Sequence, residues 1–197
     1  MFNSGFAVKS AIGIVTVGTL GGAGYGVYSY NNTTDTVRNY LKKNNLTVIE
    51  KTNSTFWTKV LETYKLEKTQ ELSISVENNV TAENIRDWCD TNLKTNIDST
   101  DNSLFKKASR WCVDYQTIEE QLTSAKFQTD TKELAKKYSS ITDTTIKGQI
   151  DKSVISGGNN NSEGDKIKRW CDSNKKRRFS SDDKVYSSNI ETICLKA

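Results

Sequence analysis

Histidine and proline are both missing from this 197-residue chain. Without histidine there is no Ser-His-Asp or Cys-His relay, and no metal site can draw on an imidazole. Close C-x-x-C pairs are missing too, which excludes the usual structural zinc and dithiol redox arrangements. No phosphate-binding glycine-lysine loop occurs, and the carboxylates are scattered: Glu119-Glu120 and Asp182-Asp183 read as solvated helix ends. Catalysis is therefore not expected, nor is any cofactor. Apolar residues are scarce at 35%, so the core is thin and gains from covalent staples. The net charge of +4 is mild and does not by itself point to nucleic acid.

The one long stretch without charge lies at the start. From Ser10 to Thr34 no charged residue occurs, and Ala11 to Tyr30 is apolar or small throughout. About 20 such residues at a helical rise of 1.5 Å cross a hydrocarbon core of roughly 30 Å. Gly13, Gly18, Gly21, Gly22, Gly24 and Gly26 suit a transmembrane helix better than a soluble one, and Tyr25, Tyr28 and Tyr30 fit an interfacial belt. The strict G-x-G-x-x-G register fails, so a dinucleotide loop is set aside. An uncleaved single-pass anchor in the cell membrane is expected; a signal peptide cut near Gly21 to Gly24 is the alternative. Lys9 on one side and Arg38, Lys42 and Lys43 on the other give a small charge bias towards an inward-facing domain. The cysteines argue for the outside.

Those cysteines carry the clearest pattern. Twenty-two residues separate Cys89 from Cys112, and the same number separates Cys171 from Cys194. At an offset of 82, Ile85, Trp88, Cys89, Asp90, Asn92 and Lys94 meet Ile167, Trp170, Cys171, Asp172, Asn174 and Lys176. A tandem duplication of one cysteine-bearing unit is the simplest reading. Four cysteines permit three connectivities. Closing each unit separately pairs Cys89 with Cys112 and Cys171 with Cys194, which is the expected pairing.

Hydrophobic spacing gives a mainly α protein: a transmembrane helix, then a helical ectodomain of two three-helix, disulfide-closed units. The expected boundaries are a flank at 1–9, the anchor or signal at 10–34, and a linker with the start of the ectodomain at 35–56. Unit one then covers 57–122 and unit two 123–197. Trp57, Val60, Leu61 and Tyr64 share one helical face, and Leu134, Tyr138 and Ile141 another. Thr58-Lys59-x-Leu61 recurs as Thr131-Lys132-x-Leu134. Leu72, Ile74 and Val76 alternate as in a short strand, and Gly157 to Asn161 forms a loop. Thr81 is placed to cap one helix and Ser103 the next. Leu104, Ala108, Trp111, Tyr115, Ile118 and Leu122 recur at 4, 3, 4, 3 and 4, predicting one continuous amphipathic helix. The matching helices of unit two are expected near 165–176 and 185–195.

Trp88, Trp111 and Trp170 each precede a cysteine, and an indole packed beside each bridge is the expected arrangement. Lys175, Lys176, Arg177 and Arg178 belong to the one dense basic cluster, the candidate contact for an anionic group. On an outward-facing domain an acidic glycan or host-surface ligand fits; nucleic acid is not the expected partner. The alternative is a cytoplasmic-facing membrane protein with free thiols, whose basic cluster contacts anionic lipid or nucleic acid.

A glycine-rich N-terminal anchor followed by Trp88-Cys89, Trp111-Cys112 and Trp170-Cys171 on a Lys/Asn/Thr-rich, proline-free chain resembles a known group. These are the paralogous membrane-anchored Trp-Cys repeat proteins of haemotropic mycoplasmas, which have no assigned activity. Ile193-Cys194 departs from the pattern. The resemblance implies a membrane-associated protein acting in surface display, antigenic variation or host-cell contact.

Overall fold

The computed structural model describes residues 34–75, 79–155, 161–181 and 185–196. The expected membrane segment at 11–30 lies outside them, as do 157–160 of the glycine-asparagine loop. Among the described residues no helix is long and apolar enough to cross a membrane.

Helix ends are set by polar caps. The chain enters through β1 (Asp35–Thr36), paired antiparallel with β2 (Asn96–Ile97). Thr36 then caps α1 (Val37–Lys43), accepting from the Asn39 amide, and α1 buries Val37, Tyr40 and Leu41. Asn53 caps α2 (Ser54–Glu67), which buries Trp57, Val60 and Tyr64 on one face. Thr81 and Asn84 form a reciprocal capping box at α3 (Ala82–Asn92), with Ile85 and Cys89 inward. Asn102, rather than Ser103, caps α4 (Ser103–Trp111). These elements enclose a first core containing Tyr64, Phe105 and Trp111.

A second core begins at α5 (Ile118–Leu122), capped by Thr117 and Glu120. It continues through α6 (Thr131–Lys137), α7 (Thr144–Asp151), α8 (Glu163–Asn174) and α9 (Ser187–Cys194). Ser162 and Asp165 box the start of α8. Leu134, Ile146, Ile150, Ile167, Trp170, Ile190 and Ile193 fill the space between these helices.

The structure differs from the sequence expectations in several places. The stripe from Leu104 to Leu122 is not one helix. α4 stops at Trp111, and the chain extends so that Val113 bridges Val48 and the Asp114 amide reaches the Thr47 carbonyl at 2.7 Å. Thr117 then starts a new helix, so Tyr115 and Ile118 fall in different cores. The division between cores thus lies between Tyr115 and Ile118: α1 joins the first half and α5 the second. Each half carries more than three helices among the described residues. Leu72 and Ile74 are irregular and pack half-buried on the first core, while Val76 lies outside the described residues. Thr58 is the fifth residue of α2 whereas Thr131 is the first of α6, so the recurring Thr-Lys string does not occupy equivalent turns.

Both disulfides join the expected partners. Cys89 bonds Cys112 with a Cα separation of 5.6 Å, and Cys171 bonds Cys194 at 5.7 Å. The backbone around them recurs as well. The Val37 amide donates to the Thr95 carbonyl and the Ile118 amide to that of Arg177, both at 2.9 Å. The Arg38 amide meets Leu93 at 3.1 Å, as that of Glu119 meets Lys175 at 2.9 Å. Ile49 donates to Cys112 at 3.0 Å and Gln128 to Cys194 at 2.8 Å. In all three cases the second acceptor stands 82 positions after the first. The Asn92 amide side chain caps the Trp88 carbonyl at 2.8 Å, and Asn174 does the same to Trp170 at 2.9 Å.

Candidate functional site

The basic run is where the halves meet. It leaves the C-terminus of α8 and lies across α2 and the end of α4. The four candidate contact residues meet different neighbours. Lys175 pairs with Glu119 at 3.0 Å and Asp172 at 3.3 Å. Burial opposes its charge, but the two carboxylates outweigh that and hold its pKa above the ordinary lysine value. Lys176 pairs with Glu62 at 2.9 Å, and its carbonyl accepts from the Thr63 hydroxyl at 2.8 Å. The Arg177 guanidinium stacks 3.7 Å from the Tyr186 ring and donates to Asn174. Arg178 is 4% exposed.

Arg178 is the anchor of the seam. One terminal nitrogen donates to the Ser109 carbonyl at 3.1 Å and the Arg110 carbonyl at 3.2 Å, where α4 runs out of amide partners. Its backbone amide donates to Glu67 at 2.9 Å, and Glu67 also pairs with Arg110. The guanidinium lies 4.7 Å from the Tyr115 ring centre. The Tyr115 phenol donates to Thr63, and burial pushes its pKa up despite that bond. A cation at the negative end of a helix, hydrogen-bonded to its last carbonyls, joins the halves far more firmly than an exposed ion pair does. Arg178→Ala is expected to cost about 2 kcal/mol, because it leaves two partly buried carbonyls without this donor. Lys176→Ala, at a half-exposed pair, is expected to change stability by less than about 1 kcal/mol. Urea unfolding midpoints of the two variants check the difference.

Beside this seam the halves leave an open cleft of about 790 Å³ between α2 and the α5 turn. Six hydroxyl residues line it: Ser54, Thr55 and Thr58 from the first half, and Thr117, Thr123 and Ser124 from the second. The remaining lining is charged: Lys59, Glu62, Glu119, Glu120 and Lys176. Lys59 is held by the Tyr115 carbonyl at 2.8 Å and by Glu120 at 3.2 Å, with its ammonium 4.0 Å from the Phe56 ring centre. Partial burial works against the Glu120 charge. The Thr117 amide and the Lys59 ammonium prevail, so its pKa is lowered. Thr123, on the rim, has a φ of 66°, a left-handed conformation that a β-branched residue adopts only under strain.

The structure therefore spreads the basic run over ion pairs, a ring stack and the last carbonyls of α4 instead of presenting it as one cationic face. Sequence reasoning missed the receiving residues Glu62, Thr63 and Glu67, and read Tyr115 only as part of an apolar stripe. The three on α2 follow no local motif, and only the docking of the two halves gathers them with the basic run. The tryptophans behave as core: Trp111 and Trp170 are buried, and Trp88 packs half-buried against the first core. Their neighbours fix the ring planes, with the Trp111 indole donating to Leu72 at 2.8 Å and that of Trp170 to Gln149 at 3.1 Å. No family model matches the chain, and no curated protein or solved structure is significantly similar to it.

Proposed function

We propose that this chain is a membrane-anchored, extracytoplasmic binding or display module, built from two copies of one disulfide-closed helical unit and without catalytic activity. The observation that carries the reading is the state of the cysteines: all four are paired, each pair within its own half, and none is free. Persistent bridges of this kind belong to oxidising surroundings. The amide-to-carbonyl bonds that recur at an acceptor spacing of 82 support the duplication. The apolar run at 11–30 ends a few residues before α1 and would tether the module. Against an inward-facing, anionic-lipid-binding domain stands the use of Lys175, Lys176 and Arg178 in the seam.

Two readings on intact source cells test this. Protease shaving is expected to release peptides from 31–197, and a membrane-impermeant maleimide is expected to label none of the four cysteines until a reductant is added. Protection from protease until lysis, with four thiols reactive in the lysate, would overturn the proposal.

A further inference from the structure

We infer that the cleft between the two halves binds a neutral oligosaccharide; this rests on the binding-module reading and names its ligand class. The argument starts from what the walls can recognise. The lining sets three carboxylates, Glu62, Glu119 and Glu120, against two ammoniums, Lys59 and Lys176, each of them paired with one of those carboxylates, so an anionic ligand meets no surplus positive charge. A lipid tail needs an enclosed apolar wall and a nucleobase an aromatic one. This cleft is open, its apolar surface comes only from the aliphatic carbons of hydroxyl-bearing and charged residues, and no aromatic residue is among its described lining. A polyol asks for short donors and acceptors, and hydroxyls can serve as both. Those of Ser54, Thr55, Thr123 and Ser124 line the cleft together with that of Thr58, which also bonds the Ser54 carbonyl, and that of Thr117, which caps α5. Two carboxylates add acceptors. Glu62 uses Oε2 on Lys176 and Glu119 uses Oε1 on Lys175, and the other oxygen of each can accept from a sugar hydroxyl.

The geometry is also set before a ligand arrives. Lys59 and Lys176 are each held from the opposite half, so the walls keep their spacing as long as the Arg178 seam is closed. The volume of about 790 Å³ falls within the range of small-ligand clefts. Strain at a rim residue such as Thr123 is the kind of cost that folds retain at binding sites.

Saturation-transfer NMR on the full chain in detergent, with a panel of neutral di- to tetrasaccharides and their sialylated and sulfated counterparts, tests this. Transfer to at least one neutral sugar is expected, with affinity lowered roughly tenfold or more by Thr58→Met, about 1.4 kcal/mol. Thr58 is exposed on α2 and methionine is a good helix former, so the fold is expected to persist, which circular dichroism checks. No transfer to any neutral sugar overturns the inference. So does transfer unchanged in a folded Thr58→Met protein, or preference for the charged sugars. Failure here leaves the cell-surface result standing, because that result is read on intact cells. An inward-facing domain that still bound the sugar would overturn only the location.

Discussion

Gly164→Ala is expected to destabilise the protein by about 3 kcal/mol, through overpacking at a backbone contact. α8 crosses α6 at this residue. A Cβ built on Gly164 would lie 1.8 Å from the Thr131 carbonyl oxygen and 2.7 Å from its carbon. Both atoms are backbone, so no rotamer change relieves the clash and the helices must separate. Separation loosens the packing around Leu134 and Ile167, both fully buried. Gly148 in α7 is the control, since a Cβ there meets nothing within 4 Å. Gly148→Ala is expected to stabilise by roughly 0.5–1 kcal/mol through helix propensity alone. Urea unfolding followed by far-UV circular dichroism measures both. A Gly164→Ala midpoint equal to the parent's would mean that α6 and α8 are not held at this distance.

Removing the second bridge has an effect of similar size. Cys171→Ala combined with Cys194→Ala is expected to cost roughly 3 kcal/mol, from the loop-closure entropy returned to the unfolded chain. For a domain of this length that lowers the melting temperature by roughly 6–12 °C. The consequence is expected to be worse here than at Cys89–Cys112. Among the described residues the second core is the smaller and has one close ring pair, Trp170 on Tyr186 at 6.5 Å, against three in the first: Tyr64 with Trp111 at 5.0 Å, Phe56 with Tyr115 at 5.6 Å and Tyr40 with Phe105 at 6.5 Å. Scanning calorimetry of the two double variants and of the reduced parent tests this. Equal melting temperatures with and without reductant would show that the bridges add nothing to the fold.

Much of the local structure was legible because its causes are local. Thr81 caps α3 as its sequence context suggests, and the Trp57-Val60-Tyr64 face turns inward as its spacing requires. The cysteine pairing followed from equal spacing in two similar stretches, and the bonds at Cys112 and Cys194 agree with it. The stripe from Leu104 to Leu122 misled because burial at 3–4-residue intervals does not require a continuous helix. Val113 finds a β-bridge partner in Val48, which is remote in sequence, and that pairing ends the helix.

The candidate site divides the same way. The sequence by itself determined that charge concentrates at Lys175 to Arg178, that the protein is mainly helical, and which cysteines have equivalent partners. Only the tertiary structure decided what the charges do. Arg178 is buried against the α4 carbonyls, Lys176 faces Glu62, and hydroxyls from two helices come to line one cleft. The physical reason is range. Caps and amphipathic faces are fixed by neighbours three or four positions away, whereas Lys176 and Glu62 stand 114 residues apart. Their contact exists only because two cores, each closed by its own bridge, dock along one seam.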